Sequence, residues 1–111
     1  MRRARIYYND AIAGILTETS DGEYIFKYED DYIANYPDQF ITFTMPVTTK
    51  SYKENRLFPF FEGLIPEGWL LDIATKNWKI NPNDRMGLLL ACCKNCIGAV
   101  CVIPIPEEDE E

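Results

Sequence analysis

Two turn dipeptides set among alternating residues constrain this chain more than any other feature. Asn9-Asp10 and Asp21-Gly22 each read as a tight hairpin turn. Residues 4–9 and 11–19 flank the first, with Ile6 and Tyr8 alternating against Arg5 and Tyr7. After the second, Tyr24, Phe26 and Tyr28 share one face while Ile25, Lys27 and Glu29 share the other. Such period-2 alternation gives strands with one buried and one wet face, and consecutive hairpins give an antiparallel sheet. Asp30-Asp31 breaks the run, and Tyr32-Ile33 reads as a short continuation. Ile41, Phe43 and Met45 alternate with Thr42 and Thr44, so a further strand is expected there. Pro46 ends it, because proline cannot donate to a ladder.

The pattern then changes. Residues 47–56 are polar and read as a loop. The stretch Leu-Phe-Pro-Phe-Phe-Glu-Gly-Leu-Ile-Pro-Glu-Gly-Trp follows, from Leu57 to Trp69. A short helix from Pro59 is expected to stop at Gly63. Pro66 suits the first position of a second helix running to Trp78, with Glu67 near its positive end. Asn81-Pro82-Asn83-Asp84 supplies a stop and then a cap for a third helix over 84–93. Ile97 to Ile105 is apolar on both faces and reads as a central strand, ended by Pro104 and Pro106. Residues 1–105 are therefore expected to form one α+β domain. Its sheet is small and mostly antiparallel, with N-terminal hairpins, three short helices packed on it and a C-terminal central strand. Residues 106–111 read as an acidic disordered tail.

Composition narrows the chemistry. The 111 residues hold 18 acids against 11 bases, a net charge of -7, which disfavours nucleic acid as a partner. The basic cluster Arg2, Arg3 and Arg5 reads as a solvated strand start. There is no histidine. That removes the commonest general base, the commonest metal ligand and every Ser-His or Cys-His nucleophile pair. No run of ~18 apolar residues suggests a membrane span, and no apolar core follows the N-terminal arginines as in a signal peptide. A cytoplasmic protein with reduced cysteines is expected.

Cys92, Cys93, Cys96 and Cys101 could supply four thiolates, but they do not form two separated C-x-x-C knuckles. They read as small buried hydrophobes, and no metal or cofactor is expected. Glu62 and Glu67 flank the Gly-Leu-Ile-Pro turn. Without a metal or a second catalytic group they read as helix-end charges rather than an acid/base pair. No phosphate-binding glycine loop is present. On a wheel of about 100° per residue, Leu70, Ile73, Ala74 and Asn77 share the core face of the 66–78 helix. Trp69 lies at that face's edge beside Asp72 and Lys76, either folded over the core or offered as an interface anchor. Phe58, Phe60 and Phe61 pose the same choice, since a short helix cannot bury all three against itself.

At this point the residues resemble a known family. Phe60-Phe61-Glu62-Gly63-Leu64-Ile65-Pro66-Glu67-Gly68, preceded by Thr44-Met45-Pro46 and followed by Ile97-Gly98-Ala99-Val100, is similar to the N-terminal subdomain of HipA-type Ser/Thr kinases. The order of elements agrees, including a Gly-x-Leu-like second strand at Gly14 to Leu16. The resemblance spans residues 4–105.

A HipA kinase continues into a longer region that carries its ATP loop, catalytic Asp and metal-binding Asp. No lysine cradle, metal-ligand set and positioned base can be recognised in this sequence. A non-enzymatic protein is therefore expected, similar to the free-standing HipS-like subunits of three-gene HipBST toxin–antitoxin systems. The resemblance implies an antitoxin that binds and neutralises a HipT-like Ser/Thr kinase. A HipB-like helix-turn-helix protein would complete a ternary complex, with no direct contact to nucleic acid or membrane. The expected partner-binding residues are Phe60, Phe61, Leu64, Ile65 and Trp69 as anchors, with Glu62 and Glu67 as the rim. Two other readings stand beside it: a detached N-terminal lobe that completes or activates a split HipA-like kinase, and a small zinc-binding regulator.

Overall fold

A computed structural model describes residues 2–65, 76, 83–92 and 99–106. Its centre is a five-stranded antiparallel sheet in the order β4-β3-β2-β1-β5. The strands are β1 (Arg2–Tyr8), β2 (Ala11–Glu18), β3 (Tyr24–Tyr28), β4 (Tyr52–Glu54) and β5 (Val100–Ile105). Among the described residues there are three helices: α1 (Asp30–Asn35), α2 (Pro59–Glu62) and α3 (Arg85–Cys92). Among the described residues, none of the helices is long and apolar enough to cross a membrane.

The hairpins form as the turn chemistry dictates. Asn9 and Asp10 both take positive φ, 50° and 70°, which matches the right-handed twist of the flanking strands. Gly22 at φ 85° closes the second turn, with Gly22 N–H donating to the Thr19 carbonyl at 3.1 Å. The register of β1 and β2 slips between Ile6 and Tyr7. At that irregularity the Ala13 carbonyl accepts from Glu29 N–H at 2.8 Å, which draws the start of α1 against β2. Gly14 faces β3 so closely that a Cβ would lie 2.4 Å from the Lys27 carbonyl oxygen and 2.8 Å from the Phe26 ring.

One face of the sheet carries the core. Ala4, Ile6, Leu16, Phe26 and Val102 leave it, and Phe61, Met86, Leu88 and Leu89 close over it from α2 and α3. Each such side chain contributes roughly 1.5–3 kcal/mol on burial. Asp84 caps α3, accepting from Gly87 N–H at 3.1 Å. The same carboxylate holds Arg2 at 2.7 Å, and Arg2 also holds Glu18 at 2.7 Å. Tyr24 donates its hydroxyl to Glu18 at 3.0 Å. This chain of contacts ties α3 to β1, β2 and β3. It holds the Asp84 carboxyl below its ordinary range, chiefly through the Arg2 hydrogen bond. Burial, with Glu18 adding to it, pushes the Tyr24 hydroxyl up to about 12.

Five expectations change. Tyr32-Ile33 is not a strand continuation but part of α1, where Asp30 and Asp31 occupy the favourable first turn. Residues 41–45 are not a strand, although Ile41 and Met45 are buried as the alternation implies. Tyrosine hydroxyls take the place of a ladder there: Tyr28 accepts from Ile41 N–H at 3.1 Å and donates to the Met45 carbonyl. Tyr32 donates to the Gln39 carbonyl, and Tyr52 to the Pro46 carbonyl. The polar loop expected over 47–56 contains β4, whose three residues pair with β3 from Tyr24↔Glu54 to Phe26↔Tyr52. β5 lies at the sheet edge rather than its centre, pairing only with β1, and Pro104 sits inside it opposite Ala4. An edge strand has room for a residue that donates nothing. Finally, Cys101 is disulfide-bonded, where reduced thiols were expected. An expectation drawn from compartment does not register which sulfurs the fold brings together. The helix expected over 66–78 lies outside the described residues, Lys76 excepted.

Candidate functional site

The most aromatic stretch of the sequence becomes α2 and the turn after it. Pro59 stands at the first helical position, where its missing N–H costs nothing. Glu62 N–H donates to the Phe58 carbonyl and Gly63 N–H to the Pro59 carbonyl, both at 3.0 Å. One turn of helix then divides the side chains between two directions. Leu57, Phe58, Phe61 and Ile65 go inward. Phe61 is wholly buried, its ring centroid 5.9 Å from Phe26, 6.2 Å from Phe58 and 5.2 Å from Phe60. Phe60 and Leu64 are half-buried at the margin of the core.

Glu62 points sideways to Arg85 of α3, with Nη2–Oε1 at 2.9 Å and Nε–Oε1 at 3.2 Å. The pair is about one-third exposed on each side, so it orients more than it stabilises. Among the described residues no group of three His, Cys, Asp or Glu side chains could hold a metal ion.

Two depressions flank α2. A cleft of about 450 Å³ is lined by Arg56, Leu57, Pro59, Glu62, Gly63 and Arg85. On the other side a groove of about 260 Å³ runs between α2 and the tyrosine-held loop, lined by Met45, Tyr52, Phe58, Pro59 and Phe60 among others. The loop presents Phe40, 41% exposed, and Phe43, 80% exposed. A phenylalanine left that far in water is the costliest exposure in the described surface.

Of the residues singled out from sequence, Phe60, Glu62 and Leu64 come together at the surface. Phe61 and Ile65 face the interior beneath them, where they set the shape of the surface and do not present themselves to it. Glu67 and Trp69 lie outside the described residues. Phe40 and Phe43 were missed as surface residues. The alternation through Ile41, Phe43 and Met45 put Phe43 on the buried side of a strand, and only the loss of that strand turns it outward.

Comparison with known proteins points one way. The HipA N-terminal domain family profile matches residues 4–103. An uncharacterized protein of Haemophilus influenzae is 29% identical over 100 residues, 90% of each chain. A solved structure of the N-terminal domain of HipA toxin superposes with a TM-score of 0.73 at 24% identity, covering 96% of this chain and 95% of that one. At that identity the likeness speaks for the fold.

Proposed function

The chain belongs to the HipA N-terminal domain family, and from that premise we propose that it is a non-catalytic subunit that binds and neutralises a HipA- or HipT-type Ser/Thr kinase. The family ties it to a toxin–antitoxin-related role. The observation that carries the finer reading is the surface around α2. Phe60 and Leu64 are half-exposed, Phe60 faces Thr44 and Met45 of the loop that carries the outward Phe43 across a groove, and the Glu62–Arg85 pair lies beside α2. Apolar anchors inside a charged rim are the anatomy of a protein interface. Glu67 and Trp69 are the remaining residues proposed to bind the partner. A HipB-like helix-turn-helix protein is the proposed third component, and the cytoplasm is the proposed compartment.

Co-expression with the kinase tests the reading. Rescue of growth supports an antitoxin, whereas deeper growth arrest would point to a lobe that completes a split kinase. In vitro, Phe60→Ala, Leu64→Ser and Trp69→Ala are each expected to weaken inhibition of the kinase at least tenfold. Undiminished inhibition by all three removes the α2 surface from the mechanism.

A further inference from the structure

β4 is an outer strand of the sheet, paired with β3 alone. Along a strand, backbone groups of successive residues point alternately to the two lateral sides. Part of the N–H and C=O groups of Tyr52, Lys53 and Glu54 therefore faces away from β3. Outside the β3 ladder, no backbone group of these three residues has a hydrogen-bond partner among the described residues. Lys53 and Glu54 are exposed, as are Ser51 and Asn55 on either side of the strand.

The groove of about 260 Å³ beside α2 touches all three strand residues and, opposite them, Met45, Phe58 and Phe60. Side chains alternate across a strand, so a depression that reaches three successive residues runs along the strand's edge. The open edge of β4 thus borders an apolar trough. An edge this short and this charged deters pairing with strands at large. Its charge nevertheless has a sign. Lys50, Lys53 and Arg56 stand against Glu54 alone between residues 50 and 56, in a chain whose net charge is -7. Lys53 meets Glu23 at 3.4 Å. Lys50 and Arg56 flank β4 two residues before and two residues after it, and neither has an ion partner among the described residues.

We propose that an extended segment of the partner kinase adds to the free edge of β4 as a sixth strand, with an apolar side chain in the trough and carboxylates beside Lys50 and Arg56. The ladder receives an extended backbone, and the trough and the two cations select which one. The other edge of the sheet is less suited, because Pro104 removes a donor from β5. The proposal rests on the kinase-binding reading and names the form that contact takes at the groove beside α2.

Amide hydrogen exchange of the full chain, alone and saturated with the kinase, tests it. At least one amide among residues 52–54 is expected to exchange freely in the lone protein and to slow at least about tenfold in the complex. A run of amides in one kinase segment is expected to slow with it. K50E/R56E alters two exposed side chains and is expected to weaken binding about tenfold and to flatten its salt dependence. A kinase that binds while every β4 amide keeps its free rate overturns the strand addition and leaves the kinase-binding reading standing. Wild-type affinity in K50E/R56E overturns it equally, since the acidic character of the segment is then lost. A wild-type chain that does not bind the kinase removes that reading, and this proposal with it.

Discussion

Two aromatic segments border the same groove and are held by opposite means. In α2 the rings do the holding: Phe58 and Phe61 are buried and the backbone follows them. In the loop over residues 39–46 the backbone is held, by the hydroxyls of Tyr28, Tyr32 and Tyr52, and the rings of Phe40 and Phe43 are left outside. Apolar burial fixes a segment without regard to direction, whereas a hydroxyl clamp fixes it only where donor and acceptor align. The first arrangement makes a floor. The second makes a presented edge.

Removing the floor gives the largest effect. Phe61→Ala is expected to cost about 3–5 kcal/mol in chemical denaturation, because the cavity opens among Phe26, Phe58 and Phe60. A loss below about 1 kcal/mol would mean that α2 is not anchored by its rings. Next comes the clamp. Tyr28→Phe leaves the Ile41 N–H and the Met45 carbonyl without their partner and is expected to cost about 1–3 kcal/mol. Hydrogen exchange should accelerate at Ile41 and Met45 and stay unchanged at Phe61.

The same clamp makes stability fall in alkali. Burial, only partly offset by the Ile41 hydrogen bond, pushes the Tyr28 hydroxyl up to about 12, above its ordinary 10. A folded-state value above the unfolded one leaves the contribution whole below pH 10 and removes it as pH rises through about 12. Wild-type stability is expected to drop across that window, and Tyr28→Phe to drop less. Equal slopes for the two would assign the loss elsewhere, Tyr24 being the first candidate. Glu62→Gln should change stability by less than about 1 kcal/mol, since the Arg85 pair is partly exposed. Smallest of all is Phe43→Ser, within about 0.5 kcal/mol of wild type. Loss of kinase binding in that variant with stability intact would place the loop in the proposed interface. Unchanged binding would exclude Phe43 from it.

Legibility in the sequence followed the range of the interactions involved. Asn9-Asp10, Asp21-Gly22, the Pro59 start and the Asp84 cap were readable because each is decided within a few residues. The alternation at Ile41 to Met45 gave the burial of its two ends correctly and the element type wrongly. A period of two reports which side chains are inside, not whether a ladder or a tyrosine hydroxyl satisfies the backbone. β4 was invisible because Tyr-Lys-Glu has no apolar pattern and becomes a strand only by pairing with β3. β5 was read as central because Ile97 to Ile105 is apolar on both faces, and both faces are indeed buried in it, Val100 and Val102 on one and Cys101 and Ile105 on the other. Side chains report the faces of a sheet, and whether a strand has one lateral neighbour or two is a matter of hydrogen bonds. Pro104 was the cue to an edge, and it was taken for a terminator.

Within the site, Phe60, Glu62 and Leu64, which the motif singled out, lie partly exposed. The inward turn of Phe61 and Ile65 came only from the one-turn length of α2. By itself the sequence determined the hairpins, the helix starts at Pro59 and after Asp84, the absence of imidazole chemistry and the family, because composition, turn residues and motifs are local properties of the chain. The tertiary structure alone decided which strand stands at the edge and which rings face water. Those depend on register and lateral pairing between residues far apart in sequence, and no local pattern encodes them.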